Sequence, residues 1–117
     1  MNTYTIYHNP RCSKSRETLT LLEQSGATPH IVEYLKTPPS AAELASIVRK
    51  LGIKPEALVR KSEDGYKSRY AGQTLTDAQW IDAMVADPVL IERPIVLHGS
   101  RAVLGRPPAN VMSLLKK

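Results

Sequence analysis

Cys12 is the residue of this sequence best suited to chemistry, because it is the only cysteine among 117 residues. A run of β-favouring residues leads into the loop signal His8-Asn9-Pro10, and helical spacing begins directly after Cys12, so the thiol is predicted at a helix start. Unpaired backbone N–H groups and the helix dipole favour a thiolate there, as do the nearby cations Arg11, Lys14 and Arg16. The pattern predicts a nucleophile; the alternative interpretation is a small buried apolar side chain.

Two familiar cysteine motifs are excluded by the residues that follow Cys12. Ser15 occupies the place of the second thiol in a Cys-x-x-Cys pair, so any disulfide that Cys12 forms must be with another molecule. In a phosphatase loop the cysteine is followed by five residues and an arginine, and that position is Thr18 here. Binding of an oxyanion beside Cys12 would therefore need basic side chains from elsewhere in the chain.

A predicted hairpin places two arginines opposite each other. Gly99-Ser100 separates two β-favouring runs and has glycine first, which is typical of a type II′ turn. With that turn the numbers of opposed residues sum to 199, and Arg93 faces Arg106. Like charges in opposition destabilise a sheet unless an anion binds between them, so the pair predicts an anion site. The alternatives are two arginines that splay into water, or pairing of one of them with Glu92.

Arg60 and His8 are further candidates, each with a structural alternative. Arg60 follows a predicted helical stretch and is either a third anion ligand or a solvated cation at a helix end; spacing alone favours the second. His8 precedes Cys12 by four positions, so its imidazole either hydrogen-bonds the loop and promotes the thiolate or has a structural role. His30 and His98 belong to separate predicted strands, and no metal ligand is predicted.

The elements that must position these residues follow the order βαβ, a helical insert, then ββα. This order predicts an α/β protein with a four-stranded mixed sheet, the plan of a thioredoxin-like fold with a helical insert. The predicted elements are a strand at Thr3–Tyr7, a helix at about Ser13–Ser25, a strand at His30–Leu35, a helix with a capping box of Ser40 and Glu43 that stops at Gly52, a helical turn at Pro55–Val59, an exposed loop at Lys61–Thr74, a helix with a second capping box of Thr76 and Gln79 that ends before Pro88, hairpin strands at Pro94–His98 and Arg101–Leu104, and a last helix at Ala109–Leu115.

The length and composition of the chain limit the classes of protein to which it can belong. A chain of 117 residues predicts one domain, residues 1–117, with the helical insert at about 40–90. One cysteine excludes an internal disulfide and a cysteine-rich zinc site. The net charge of +5 favours an anionic partner, but 5% aromatic residues with no Phe offer few surfaces for base stacking, so no nucleic acid is expected. Apolar runs are short and the start lacks a leader pattern, so we expect a soluble cytoplasmic protein with no membrane partner.

Five segments together resemble one family, the arsenate reductases that depend on glutathione and glutaredoxin. Each segment alone is a weak signal, but the combination is specific and spans nearly the whole chain. The segments are His8-Asn9-Pro10-Arg11-Cys12-Ser13-Lys14-Ser15-Arg16, Tyr34-Leu35-Lys36-Thr37-Pro38-Pro39, Leu58-Val59-Arg60-Lys61, Glu92-Arg93-Pro94-Ile95-Val96 and Gly105-Arg106-Pro107.

The resemblance implies a role for each candidate residue. Cys12 looks like the nucleophile that attacks arsenate, and His8 looks like its electrostatic helper. The residues that look like the oxyanion-binding arginines are Arg60, Arg93 and Arg106. Pro94 matches a cis-proline position of the family, and the implied fold is again thioredoxin-like with a helical insert.

The resemblance also implies a reaction that needs one protein thiol. Cys12 forms an adduct with arsenate, glutathione attacks, arsenite is released, and glutaredoxin clears the mixed disulfide. No cofactor is bound, and glutathione is a co-substrate. The alternative function is a glutathione-linked thiol oxidoreductase or a redox-regulatory interaction module of the same fold, in which Cys12 only forms mixed disulfides and the arginines hold another anion.

Overall fold

The computed structural model describes residues 4–115, and the chain divides into two compact units. One unit, called the sheet unit below, extends to Thr37 and resumes at Arg93. The other, called the insert unit, is Pro38–Glu92. The sequence predicted a single domain with a helical insert at about 40–90, and that domain organisation stays a prediction. Among the described residues, no helix combines the length and apolar character needed to cross a membrane.

The sheet unit is built on four described strands. They are β1 (Tyr4–Tyr7), β2 (His30–Val32), β3 (Ile95–His98) and β4 (Arg101–Leu104). In the described range their order is β2-β1-β3-β4, with β2 parallel to β1 and the other neighbours antiparallel. The predicted mixed four-stranded α/β sheet is confirmed. The predicted start of the first strand at Thr3 lies outside the described residues.

The hairpin of β3 and β4 has the predicted register. Ile95 pairs with Leu104 and His98 with Arg101, so opposed numbers sum to 199. Gly99 has a φ of 63°, which the first position of a type II′ turn requires and which costs glycine little. The backbone pairing continues past the strand ends, because the Gly105 N–H donates to the Pro94 carbonyl at 2.9 Å. The register therefore carries Arg93 and Arg106 to the same end of the hairpin.

Helix α1 (Ser13–Gln24) covers the sheet and joins the core of this unit. Its buried residues Ser15, Thr18 and Leu22 follow helical spacing, so one face of the helix is turned inward. The last described elements of this unit are a 3₁₀ turn at Pro108–Val111 and a short helix α5 (Met112–Leu115). The buried core cluster of the unit consists of Tyr4, Ile6, Leu22, Val96, Val111 and Leu114.

The insert unit is helical. It contains α2 (Ala41–Leu51), a 3₁₀ turn at Pro55–Leu58, α3 (Asp64–Arg69), α4 (Asp77–Ala86) and a 3₁₀ turn at Pro88–Leu90. Both predicted capping boxes are confirmed, since Ser40 pairs with Glu43 and Thr76 with Gln79 through reciprocal hydrogen bonds. Gly52 ends α2 in the left-handed conformation with φ 70°.

Three predicted elements differ from the structure. The second strand ends at Val32 rather than Leu35, because the N–H groups of Lys36 and Thr37 both donate to the Glu33 carbonyl and form a turn. The predicted loop at 61–74 contains α3, in which Tyr66, together with Tyr70 directly after the helix, packs on Trp80 at centroid distances of 6.2 and 5.9 Å. The last helix begins as a 3₁₀ turn.

Candidate active site

The loop between β1 and α1 is held by its own backbone. The N–H of His8 donates to the Val32 carbonyl at 2.8 Å, which ties the end of β1 to β2. The N–H of Cys12 donates to the Asn9 carbonyl at 2.9 Å, and Asn9 Oδ1 accepts from the Arg11 N–H at 3.0 Å. These bonds close a tight turn that delivers Cys12 as the N-cap residue of α1.

The surroundings of Cys12 favour its thiolate form. The thiol is half-buried, and burial alone raises the pKa of Cys12. The backbone N–H of Ser15 and the Arg93 side chain, which hydrogen-bonds the sulfur, outweigh burial and hold that pKa below its ordinary value. The backbone of Lys14 and the charge of Arg93 act in the same direction. The lowered pKa increases the fraction of Cys12 in the thiolate form, which is the nucleophilic form of cysteine.

A second guanidinium, that of Arg106, reaches the same sulfur. Its Nη1 lies 3.9 Å from the Cys12 Sγ and also donates to the Arg93 carbonyl at 3.3 Å. The two arginines that the hairpin arithmetic placed in opposition therefore converge on one thiol within the sheet unit. Two guanidiniums beside a thiolate supply hydrogen-bond donors and positive charge suited to a small oxyanion.

Close packing fixes the chain segments that carry the two arginines. The Arg93-Pro94 and Arg106-Pro107 peptide bonds are cis, and the first was an expectation of the sequence analysis. Gly105 sits against Thr18 and Pro94, where an added Cβ would lie 2.5 Å from Thr18 Oγ1 and 2.8 Å from Pro94 Cγ. Because only glycine fits, the hairpin end packs directly on α1 next to the thiol.

His8 contacts the loop through the side chain of Ser15. Its Nδ1 is 2.6 Å from Ser15 Oγ, which also accepts from the Asn9 N–H at 3.0 Å. His8, Asn9 and Ser15 are all buried. Burial lowers the pKa of His8, Glu33 raises it and Arg16 lowers it, and the net result is a pKa below the ordinary value. The imidazole is therefore neutral at pH 7.

Arg60 belongs to the insert unit and is bound by carboxylates there. Its Nε donates to Glu63 Oε1 at 3.2 Å, and its Nη1 donates to Glu92 Oε1 at 3.1 Å. The sequence analysis considered Glu92 as a partner for an arginine, and the structure pairs it with Arg60. The role of Arg60 as a third anion ligand stays a prediction.

Ser15 and Thr18 matter more to this site than the sequence analysis recognised. The sequence analysis used both to exclude motifs and placed both on the helix that follows Cys12, but it gave neither a role at the site; both are fully buried and hold chain segments around Cys12. Thr18 Oγ1 donates to the Lys14 carbonyl at 2.8 Å and faces the Gly105 carbonyl at 3.4 Å. The available signal was their spacing with Leu22, which places small polar residues on the inward face of α1.

The described residues contain no group of three His, Cys, Asp or Glu side chains that could hold a metal ion. His98 stacks instead on Tyr4, with ring centroids 4.1 Å apart. His30 is exposed at the start of β2. The groups that the structure brings together at the site are the Cys12 thiol and the guanidiniums of Arg93 and Arg106.

Comparisons with known proteins agree on one family. A model of the ArsC family matches residues 7–114. The chain is 47% identical over 112 residues to "Uncharacterized protein YfgD" of Escherichia coli K12, with 94% of each chain covered. It is 46% identical over 112 residues to an arsenate reductase of Haemophilus influenzae, covering 94% of this chain and 97% of that protein. The structure of an arsenate reductase from Vibrio cholerae matches with a TM-score of 0.93 at 45% identity, covering 96% of this chain and 97% of the other.

Proposed function

We propose, since the chain belongs to the ArsC family, that it reduces arsenate to arsenite with Cys12 as the nucleophile. The observation that carries the proposal is the convergence of Arg93 and Arg106 on the Cys12 sulfur, with Arg106 Nη1 at 3.9 Å and a hydrogen bond from Arg93. Relatives of near-equal length are named arsenate reductases, which supports arsenate as the oxyanion.

Arsenate is proposed to bind against the guanidiniums of Arg93 and Arg106. An arsenate oxyanion presents several acceptor oxygens, and planar guanidiniums donate paired hydrogen bonds to such groups. Anion binding also relieves the repulsion between two cations held side by side. Arg60 is proposed as a third ligand by family resemblance, which requires its guanidinium to exchange a carboxylate partner for arsenate.

The reaction needs two thiols in sequence. The Cys12 thiolate attacks arsenic, an S–As bond forms, and a protonated arsenate oxygen leaves as water. Glutathione thiolate then attacks the Cys12 sulfur, so that an S–S bond forms and the S–As electron pair passes to arsenic. Arsenic(V) becomes arsenic(III) and leaves as arsenite, while two thiols become one disulfide. Glutaredoxin returns Cys12 to the thiol by disulfide exchange.

His8 is proposed to help through position rather than through charge. Because its pKa is lowered, the buried imidazole is neutral and contributes no cation at neutral pH. Its bond to Ser15 Oγ supports the turn that aims backbone N–H groups at the sulfur. This accounts for the electrostatic assistance that the family resemblance implies without a charged histidine.

Glutathione and glutaredoxin are proposed as partners because Cys12 has no second cysteine to resolve it. A reducing compartment such as the cytoplasm fits a function that consumes reduced thiols. No bound cofactor is required, since the electrons come from the thiols.

The test is arsenate-dependent glutathionylation of Cys12 in the absence of glutaredoxin. Reduced glutathione cannot form a disulfide with a reduced thiol unless an oxidant accepts two electrons, and arsenate is that oxidant here. We expect mass spectrometry to find one glutathionyl group on Cys12 only when arsenate is present, with an equal amount of arsenite. A glutathionyl adduct that forms equally without arsenate under anaerobic conditions would favour the thiol-oxidoreductase or regulatory function instead.

A further inference from the structure

A small pocket lies beside the loop that precedes Cys12, on the surface of the sheet unit. Its volume is about 330 Å³, near the lower end of the range typical of ligand pockets. One wall is the segment from His8 to Arg11, and the facing wall is formed by Glu33, Leu35 and Lys36. The pocket borders the reactive cysteine in sequence, but nothing in the proposed arsenate chemistry uses it.

The charged groups of the pocket have both signs. Glu33 supplies one carboxylate, and Arg11 and Lys36 supply two cations. Lys36 Nζ lies 3.4 Å from Glu33 Oε1, in a pair whose side chains are 79% and 41% exposed. Such an exposed pair is worth only about 0–1 kcal/mol, so it opens readily for a ligand that satisfies both ends. That ligand must carry an ammonium group and a carboxylate group close together.

Leu35 adds an apolar surface between these charges. Its side chain is 44% exposed, and it lines the pocket together with Pro10. A short aliphatic stem that carries a zwitterionic head group would cover this surface and remove it from water. The pocket thus combines charged groups that can bind a zwitterion with an apolar surface that can cover methylene groups.

We propose that this pocket binds the γ-glutamyl end of the thiol co-substrate, with the α-ammonium group at Glu33 and the α-carboxylate at Lys36 and Arg11. The inference rests on the proposed function, because it assigns the place where glutathione docks when it attacks Cys12. The two methylenes of the γ-glutamyl group lie along Leu35.

The distances within glutathione are compatible with this placement. Arg11 and Cys12 are adjacent, so their Cα atoms are about 3.8 Å apart. The γ-glutamyl head group is about two residue lengths, ~7 Å, from the thiol of the same molecule. A ligand whose head group sits beside Arg11 is therefore long enough for its thiol to reach the start of α1.

A second groove provides the matched control. It lies on the outer side of α1, with a volume of about 610 Å³, and is lined by Ser13, Arg16, Glu17, Thr20, Leu21 and Pro107 to Ala109. Glu17 is an exposed carboxylate near Cys12 in sequence, and it lines this second groove rather than the pocket of Glu33. Glu17→Gln removes the same charge from the protein as Glu33→Gln.

The experiment measures thiol exchange without arsenate. Cys12 is first converted to its mixed disulfide with thionitrobenzoate. The thiol of γ-glutamylcysteine or of cysteinylglycine then attacks the Cys12 sulfur, forms a new S–S bond and displaces thionitrobenzoate. The absorbance of the released thionitrobenzoate gives the rate. Mass spectrometry identifies the product. The rate with γ-glutamylcysteine divided by the rate with cysteinylglycine measures recognition of the γ-glutamyl group. Dividing this ratio by the ratio that the same two thiols give with a free disulfide removes the difference in their intrinsic reactivity.

We expect Glu33→Gln to lower this ratio at least about fivefold, and Lys36→Gln to lower it in the same direction, while Glu17→Gln keeps the wild-type ratio. An unchanged ratio in Glu33→Gln, or loss of the ratio in Glu17→Gln, would overturn the proposal. Both outcomes are separable from the proposed function, because the assay contains no arsenate. Circular dichroism confirms that the exposed substitutions leave the fold intact.

Discussion

Arg106 Nη1 lies 3.9 Å from the sulfur of Cys12, although 94 positions separate the two residues in the chain. The sheet order explains the approach, because β3 pairs with β1 and β4 pairs with β3, so the end of the hairpin reaches the loop that follows β1. The same guanidinium donates to the Arg93 carbonyl at 3.3 Å. The approach of Arg93 and Arg106 to the Cys12 thiol thus depends on the strand register of the sheet.

The pH dependence of Cys12 alkylation tests its thiolate character. Only the thiolate reacts with iodoacetamide, and the pKa of Cys12 lies below its ordinary value, so we expect the rate midpoint at a lower pH than for a free cysteine. Arg93→Ala removes a hydrogen bond and a positive charge, which raises the pKa of Cys12 and moves the midpoint to higher pH. Arg49→Ala, an exposed arginine of α2, is the control and leaves the midpoint unchanged. A wild-type midpoint at the free-cysteine value would refute the claim.

Steady-state kinetics test the anion site. Loss of a charge-assisted hydrogen bond costs about 1.5–3 kcal/mol, so Arg93→Ala and Arg106→Ala should each raise the arsenate KM about tenfold or more. Arg60→Ala tests Arg60 as the third arsenate ligand. Its control is Glu92→Gln, which loosens the same ion pair but keeps the positive charge of Arg60. An equal effect of these two variants would assign Arg60 a structural role, and unchanged kinetics in both Arg93→Ala and Arg106→Ala would remove the anion site.

Ser15→Ala tests the support of the loop. The substitution leaves the buried Asn9 N–H without the acceptor that Ser15 Oγ supplies at 3.0 Å, and it removes the contact to His8. We expect the free energy of unfolding in urea to fall by about 1–3 kcal/mol. Ser25→Ala is the matched control, because its hydroxyl is exposed at the end of α1, and its effect should stay within about 0.5 kcal/mol. Equal losses for both variants would show that the buried hydroxyl has no special role.

Gly105→Ala tests the close contact between the hairpin end and α1. The new Cβ would lie 2.5 Å from Thr18 Oγ1 and 3.0 Å from Thr18 Cγ2, so the segment must shift at a cost of about 1–3 kcal/mol. Gly65→Ala is the comparison, since its Cβ meets only the movable Asp87 Oδ2, at 3.3 Å. We expect a lower thermal midpoint and slower Cys12 alkylation for Gly105→Ala alone. Wild-type behaviour of Gly105→Ala would contradict the packing argument.

Local signals in the sequence predicted most elements. Some motifs form their hydrogen bonds between residues that are close in sequence, as do the capping boxes at Ser40 and Thr76 and the turn at Gly99-Ser100. Such motifs specify helix starts and hairpin register without tertiary contacts. The register alone led from Gly99-Ser100 to the pairing of Arg93 and Arg106. Helix α3 escaped prediction because its stability comes from tyrosines that pack on Trp80, a contact between distant residues.

The parts of the site that escaped prediction depend on packing as well. Ser15 and Thr18 are polar, and both are fully buried against tertiary partners: Ser15 contacts His8 and Asn9, and Thr18 contacts Gly105. The pairing of Arg60 with Glu92 joins residues 32 positions apart, so the sequence could offer Glu92 only as a partner for an unspecified arginine. Spacing predicts which residues share a face of an element, whereas the partner across that face is set by the tertiary fold.

The most direct test of the central claim is arsenate-dependent NADPH oxidation with glutathione, glutaredoxin and glutathione reductase, measured for the wild-type protein and for Cys12→Ser. The account predicts steady turnover that requires arsenate and disappears in a folded Cys12→Ser variant. Turnover that persists in Cys12→Ser, or none in a wild-type protein whose Cys12 remains reactive toward iodoacetamide, would contradict it.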